Sequence, residues 1–443
     1  MEVKPGYKHI DGKVIPNDWN LVPLASVTAP NVKNGIVDGP FGSNLKTIHY
    51  RNSGIPIITS GYVTDGKFHA EDYLYVDQAK FNEEKRSAVK PGDIVMAKIG
   101  ERCGASAMLP VTHDLGILSG NALKITVDPQ RYSAFYIWQV LWNLYCSGGV
   151  EALKTVGAQP AISMANLKKY KIALPSTKAE QEAIAEALSD ADAFIESLEQ
   201  LLDKKRQLKQ GVMQELLTGK KRLPGFNHSG QQYRATKFGM MPMEWMTTPL
   251  ERVAAFITKG STPTTYGFAW ESEGVLFLRS ECVSERGLDL SQSMFISDKA
   301  HQVLRRSEVR AGDILMTITG NVGRVVRLGS DFNEANINQH IARIRIVESQ
   351  VADTFVFHFL SQPLVRRYYS LITTGQAYPQ ISLTQVRETE VPMPSLLEQT
   401  AISAILSDMD AEIDALEAKL AKARQLKQGM MQELLTGRIR LIN

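Results

Sequence analysis

Cysteine is nearly absent from this sequence. Its three cysteines, Cys103, Cys146 and Cys282, lie far apart and form no Cys-x-x-Cys pair. That spacing excludes a disulfide framework or a zinc ribbon and fits a reducing compartment, the cytoplasm. The eight histidines are scattered singly, without His-Glu-x-x-His spacing, so no metal site is expected. An excess of one charge is lacking too: 50 Lys and Arg stand against 47 Asp and Glu, a net +3. Such a balance does not announce nucleic acid by itself, although an average conceals a basic face beside acidic helices. The longest apolar run, Tyr132 to Cys146, is short for a membrane span and is interrupted by Gln139 and Asn143, which predicts a buried helix and no membrane role. Met1 to Trp19 contain no apolar core of signal-peptide type.

Reactive motifs are missing as well. There is no Gly-x-x-x-x-Gly-Lys-[Ser/Thr] loop, no Gly-x-Gly-x-x-Gly after a strand, and no Asn/Asp-Pro-Pro-aromatic motif. Ser119-Gly120-Asn121 lacks the strand-turn-helix context of a nucleophile elbow. No catalytic residue and no cofactor are therefore expected in this chain.

What is present is a duplication. Arg206-Gln-Leu-Lys-Gln-Gly-Val-Met-Gln-Glu-Leu-Leu-Thr-Gly219 returns almost unchanged at Arg424 to Gly437, 218 positions later in a chain of 443. Upstream, Glu180-Gln181 answers Glu398-Gln399, and Leu188-Ser-Asp-Ala-Asp192 answers Leu406-Ser-Asp-Met-Asp410. Pro16-Asn-Asp-Trp19 answers Pro242-Met-Glu-Trp245, and Gly92-Asp-Ile-Val-Met96 answers Gly312-Asp-Ile-Leu-Met316. The length exceeds one ordinary core, and 44% hydrophobic with 22% charged residues marks a globular protein.

The expected order is an N-terminal segment 1–16, a globular domain 17–174, a helical spacer 175–219, a connector 220–241, a second globular domain 242–393 and a C-terminal helical spacer 394–443. Short β-branched runs, Gly-rich turns, the aromatic helix 132–146 and a counterpart near 353–371 make the domains α+β. In the spacers, Ile184, Leu188, Ala191, Ile195, Leu198 and Leu202, and Ile402, Leu406, Met409, Ile413, Leu416 and Leu420, recur at spacings of four and three. This heptad stripe predicts two long helices, each roughly 60 Å, that pair antiparallel by knobs-into-holes packing, with Leu208 and Leu426 out of phase and Gly219 and Gly437 as C-caps. Two domains on paired helices close into a pseudo-twofold object.

The remaining chemistry is binding chemistry. Asp38-Gly-Pro-Phe-Gly-Ser-Asn-Leu-Lys46 combines a Gly/Pro turn with Phe41, Ser43, Asn44 and Lys46, a set able to bring backbone N–H groups and a cation close to phosphate. Further candidates in the first domain are Ser60, Tyr62, Lys98, Arg102 and Gln159. In the second they are Lys259, Thr262, Thr264, Tyr266, Arg279, Ser280, Asn321, Arg324, Gln376 and Tyr378, several of them amides and arginines that bond base edges in pairs. The plain alternative is that these loops are only turns between strands.

With these features assembled, the chain resembles a specificity subunit of a type I DNA restriction–modification system. The carriers are Gly39-Pro-Phe-Gly-Ser43, Pro91-Gly-Asp-Ile-Val95, Ala311-Gly-Asp-Ile-Leu315, the Pro-x-Ile-Ser loops ending at Ser163 and Ser382, and the Leu-Leu-Thr-Gly helix ends. The second domain carries Gly260-Ser-Thr-Pro-Thr264 in place of Gly-Pro-Phe-Gly-Ser. The resemblance implies two target-recognition domains, each reading half of a bipartite, asymmetric sequence in double-stranded DNA, with the helices setting the gap. It also implies two modification (methyltransferase) subunits carrying S-adenosylmethionine, and restriction subunits using ATP and Mg2+. Two alternatives remain open: a specificity subunit serving a fused methyltransferase–nuclease, and a two-headed scaffold that clusters proteins rather than reading DNA.

Overall fold

The computed structural model of the chain describes residues 5–441 apart from 31, 41, 156, 158, 228–231, 348–350, 376 and 377, and leaves the side chain of Ser43 undescribed. The chain forms two compact units, Met1–Leu198 with Lys419–Asn443, and Glu199–Ala418. Each unit holds one globular module and a stretch of both long helices, Lys178–Leu216 and Leu396–Leu434, each 39 residues.

Both modules are α+β and share one topology. In unit 1 an antiparallel sheet orders Ser106–Met108, Ile94–Ala97, Ala122–Ile125 and Ile36–Asp38. A second sheet orders Tyr75–Val76, Ile55–Ile58, Gly116–Leu118 and Ala88–Val89, with its two central strands parallel. Unit 2 repeats this with Ala254–Lys259, Ile341–Ile346, Ile314–Thr317 and Val325–Arg327, and with Met294–Ile296, Val275–Leu278, Ala335–Ile337 and Glu308–Val309. Central strands such as Ile94–Ala97 and Ile314–Thr317 are buried at every position, which explains their continuous apolar runs. The first and last strands of each module pair with one another, Asn20–Pro23 with Lys171–Leu174 and Met246–Pro249 with Glu390–Met393.

The long helices are part of the module cores. Ile184, Leu188, Met431, Leu434 and Leu435 join Trp19, Tyr136 and Ile137 in unit 1, and Met213, Leu216, Leu217, Ile402 and Leu406 join Trp245, Phe355 and Phe359 in unit 2. Within each unit the two helical stretches run antiparallel. In unit 2, Arg206 pairs with Glu417, Lys209 with Asp410 and Arg222 with Glu398, so numbers rise on one side as they fall on the other. In unit 1, Lys427 pairs with Asp192 at 2.5 Å, and Arg440 with Glu180. Every position of both predicted heptad stripes is buried or half-buried, whereas Leu208 and Leu426 are exposed, as their phase requires. The helices end at Gly219 and Gly437 with φ of +68° and +72°, the left-handed cap that glycine adopts without strain.

Two sequence expectations need correction. The helix expected near 353–371 is two helices, Asp353–Leu360 and Pro363–Ile372, because Pro363 lacks the N–H that a continuing helix needs and takes the N1 position of a new one. The N-terminal segment 1–16 and the connector 220–241 hold secondary structure of their own. They carry matching hairpins, Tyr7–Ile10 with Lys13–Pro16 and Tyr233–Thr236 with Gly239–Pro242, so the repeat starts before its Pro-x-x-Trp signature.

These hairpins receive the helix ends. Tyr7 donates its hydroxyl to the Gly437 carbonyl at 3.2 Å, and Tyr233 does the same to Gly219 at 3.2 Å. Just beyond each glycine an arginine is clamped. Arg222 forms ion pairs with Glu398 and Glu244 and stacks over Trp245, while Arg440 pairs with Glu180 and Asp18 and stacks over Trp19. Glu398 is 1% exposed and Glu180 2%, so each carboxylate depends on its arginine. Arg222→Ala is expected to destabilise unit 2 by about 3–5 kcal/mol, because it strands a buried charge. Urea denaturation followed by tryptophan fluorescence checks this, and an unchanged midpoint would refute the clamp.

A second buried polar position separates the modules. Ser133 and Ala352 both give their backbone N–H to a buried glutamine of a long helix, Gln181 and Gln399, at 3.0 and 2.9 Å. This register places Gln139 of unit 1 in equivalence with His358 of unit 2. His358 lies against Ser407 at 3.2 Å, with Asp410 3.9 Å from its Nδ1. Burial lowers its pKa from 6.5 to about 4, with Lys209 and Arg327 adding to the fall and Asp410 opposing it. Because the folded value lies below the unfolded one, the associated stability is complete above pH 6.5 and is lost as pH falls toward 4. His358→Gln should therefore remove an acid destabilisation on the order of 3 kcal/mol between those limits. Melting temperatures measured from pH 7 to pH 4 should fall less steeply in the variant than in the parent chain.

Candidate nucleic-acid interface

In each module five polar loops meet at one edge of the sheets, and backbone hydrogen bonds hold them there. In unit 1, Gly39 N donates to Ala122 O at 3.0 Å, Ser119 N to Ile58 O at 2.9 Å, Lys98 N to Asn121 O at 2.8 Å and Gly100 N to Pro160 O at 3.1 Å. The loops after residues 38, 58, 97 and 118 and the loop 155–161 are thereby joined. In unit 2, Gly260 N donates to Asn338 O at 3.1 Å, Asn338 N to Leu278 O at 3.1 Å, Ile318 N to His340 O at 2.9 Å and Gly320 N to Pro379 O at 2.8 Å. The same five loops are joined by bonds of the same kind.

Gly39 and Gly260 are the structural pivots. A Cβ on Gly39 would overlap the Ser119 carbonyl, and one on Gly260 would overlap the Ile337 carbonyl. The two glycines are thus equivalent although their flanking sequences, Gly-Pro-Phe-Gly-Ser and Gly-Ser-Thr-Pro-Thr, differ.

The structure divides the sequence candidates by what their side chains touch. Lys98 sits 2.6 Å from Asp38, which also accepts from Arg86 at 2.6 Å, so its charge is neutralised and it braces the 38–46 loop. Tyr62 donates to the Asp72 carbonyl at 2.6 Å and lies edge-on to Phe68 and Tyr73, which fixes its ring at the loop edge. Ser60 N donates to Asn121 Oδ1 at 3.2 Å. Arg279 donates through Nε and Nη2 to the Gln292 carbonyl at 3.2 and 3.1 Å, an anchor that leaves Nη1 for another acceptor. Thr262 bonds Gln339, and Ser280 donates to its neighbour Glu281 at 3.2 Å. Arg324 gives its backbone N–H to Thr317 Oγ1 at 3.0 Å, while its Nε is buried without a partner among the described residues.

Exposed and facing solvent are Asn44, Lys46, Arg102, Gln159, Lys259, Thr264, Tyr266, Asn321 and Tyr378, the last 70% exposed. Arg102 is steadied by Thr64 at 3.2 Å. Phe41 and Gln376 lie outside the described residues, as does the side chain of Ser43.

Sequence reasoning missed Asp38 as a brace, and Asn121, Gln339 and His340 as occupants of the inter-strand turns. Ser-Gly-Asn and Asn-Gln-His share no residue pattern, and only the strand register equates them. Among the described residues no group of three His, Cys, Asp or Glu is placed to hold a metal ion, and no helix is long and apolar enough to cross a membrane. What the edge offers is exposed amides, hydroxyls, aromatics and cations on a rigid backbone frame, suited to hydrogen-bonding groove edges and phosphates.

Comparison with known proteins gives the class. The type I restriction modification DNA specificity domain family matches twice, over residues 42–206 and 242–425, and the chain belongs to that family. Among its relatives is the MjaVIII type I restriction enzyme specificity subunit of Methanocaldococcus jannaschii, 22% identical over 99% of this chain and 96% of that one. The EcoBI type I restriction enzyme specificity subunit of Escherichia coli is 23% identical over 96% of this chain and 87% of its own length. The fold is shared with the crystal structure of the type I restriction–modification S subunit from M. genitalium, with a TM-score of 0.56, 15% identity and coverage of 97% and 98%.

Gly260→Ala should displace the 259–266 loop from Ile337 and cost about 1–3 kcal/mol through overpacking. Faster amide exchange at residues 337–340 with the central strands still protected is the expected signature. An unaltered exchange pattern would show that the glycine is not required.

Proposed function

We propose that this chain is the non-catalytic DNA-reading subunit of a type I restriction–modification complex. The observation that carries the reading is the double family match laid over two modules whose loop edges are framed by the same backbone bonds. Each edge reads one half of a bipartite, asymmetric target. Exposed cations such as Lys46, Arg102 and Lys259 contact phosphates and set register, while the amides, Arg279 and the aromatics discriminate bases. The long helices set the gap between the half-sites, their heptad stripes being suited to a spacer.

Two modification subunits supply S-adenosylmethionine and transfer methyl groups to adenine. Restriction subunits supply ATP- and Mg2+-dependent cleavage. The family match argues against the protein-scaffold alternative, since both modules match a DNA specificity domain.

The divergence of the loop side chains on a common frame makes the two readings separable. Exchanging residues 17–174 for the equivalent region of another specificity subunit should change one half of the methylated sequence and leave the other half and the gap intact. Methylome sequencing of strains carrying each version tests this. Alteration of both half-sites by the single exchange would refute independent reading.

A further inference from the structure

Unit 2 contains a cleft of about 1570 Å3 between its module and the long helices. The equivalent place in unit 1 carries two aromatic rings. There Trp142 stacks on Tyr145 with ring centroids 5.4 Å apart and packs against Gly66 in the turn of the hairpin Val63–Thr64 and Lys67–Phe68. The register set by Ser133 and Ala352 puts Ser361 where Trp142 stands, and the matching hairpins put Arg286 where Gly66 stands. Likewise Met108 is answered by Arg327, since each pairs with the first residue of the adjacent strand, Ile94 and Ile314. A bulky ring and a glycine have been replaced by a hydroxyl and a cation, which opens the space and charges its wall.

The module wall is rich in arginine, and the helix wall carries both signs. On the module side Arg286, Arg324 and Arg367 line the cleft without an ion-pair partner among the described residues, and Arg366 holds Glu285 at 2.5 Å. Opposite, the helix Leu396–Leu434 contributes Asp410, Asp414 and Glu417, and the other long helix lines the cleft with Lys209 and Arg206, which pair with Asp410 and Glu417. Leu288, Phe332 and Phe357 supply apolar surface. Two buried polar atoms at this cleft, Nδ1 of His358 and Nε of Arg324, have no hydrogen-bond partner among the described residues.

These features select among occupants. The volume exceeds the roughly 300–1,000 Å3 of small-ligand sites. Duplex DNA would bring a polyanion against Asp414, which has no ion-pair partner among the described residues, and its backbone offers nothing to the apolar surface of Leu288, Phe332 and Phe357. A protein segment with an apolar side and carboxylates turned toward the arginines satisfies every wall.

We propose that the cleft is a docking groove for one acidic, amphipathic segment of a partner subunit, so that partners engage the two modules unequally. The proposal rests on the reading of this chain as a subunit of a larger complex. Its test uses the full chain mixed with the modification subunits of the same system. Arg286→Glu/Arg367→Glu reverses two exposed charges without touching the core, and a photo-crosslinking residue at position 286 reports what lies nearby. The expected results are at least tenfold weaker association for the double variant, DNA affinity of the chain alone unchanged, and an adduct from position 286 to an Asp- or Glu-rich peptide of a modification subunit. Unweakened association with no such adduct would overturn the groove alone, as would a loss confined to DNA binding, which would make the arginines phosphate contacts. Failure of the unaltered chain to associate at all would overturn the reading of the complex together with the groove.

Discussion

The structure depends on a buried arginine–carboxylate clamp that occurs once in each unit. A carboxylate as enclosed as Glu180 or Glu398 is tolerated only with a partner that returns both charge and hydrogen bonds, and the forked guanidinium does so. The partner comes from beyond the end of the other long helix: Arg440 meets Glu180, and Arg222 meets Glu398. Each unit is therefore built from segments distant in sequence. The adjoining glycine is held to its role by space, since a side chain on Gly219 or Gly437 would strike Pro242 or Pro16 at 2.6 or 2.5 Å. The glutamine beside each glutamate has a different task, holding the start of a module helix to the long helix by one backbone bond. The repeated Glu-Gln dipeptide thus ties the module to both long helices.

The loop edges show how a constant frame carries variable contacts. Bonds from Gly39, Gly100, Gly260 and Gly320 use backbone atoms only, so the side chains between them can change without moving the loops. Some of the polar side chains there have acquired local duties, as when Lys98 braces Asp38 or Arg279 holds Gln292. Such anchored groups are rigid, and rigidity is what discrimination between base edges requires. The residues around them, Lys46, Arg102, Lys259 and Tyr266 among them, are exposed to solvent.

The units also diverge where neither frame nor clamp constrains them. Gln139 and His358 occupy one position under the module helix, and Trp142 and Ser361 another one turn further along. The first pair changes how acid affects the packing, and the second exchanges a bulky ring for a hydroxyl beside the cleft of unit 2. Both changes leave the sheet topology intact, because the helix still buries Tyr136, Ile137 and Leu141 in one unit and Phe355, Val356 and Leu360 in the other.

The sequence by itself determined the duplication, the two long helices and their glycine ends. These are properties of local order: a stripe spaced by four and three makes a helix face wherever it occurs, and a glycine at the end of such a stripe takes the left-handed cap. It also placed glycine turns with polar neighbours near residues 39, 98, 260 and 321. Only the tertiary structure decided that Arg222 and Arg440 belong to the repeat, because Lys-Lys-Arg and Arg-Ile-Arg look unrelated until each arginine is seen against a buried glutamate. The split at Pro363, the equivalence of Asn121 with His340 and the cleft at Ser361 were decided there too. Each depends on which strands and helices meet across long stretches of chain, and contact between residues far apart leaves no periodicity in the sequence to read.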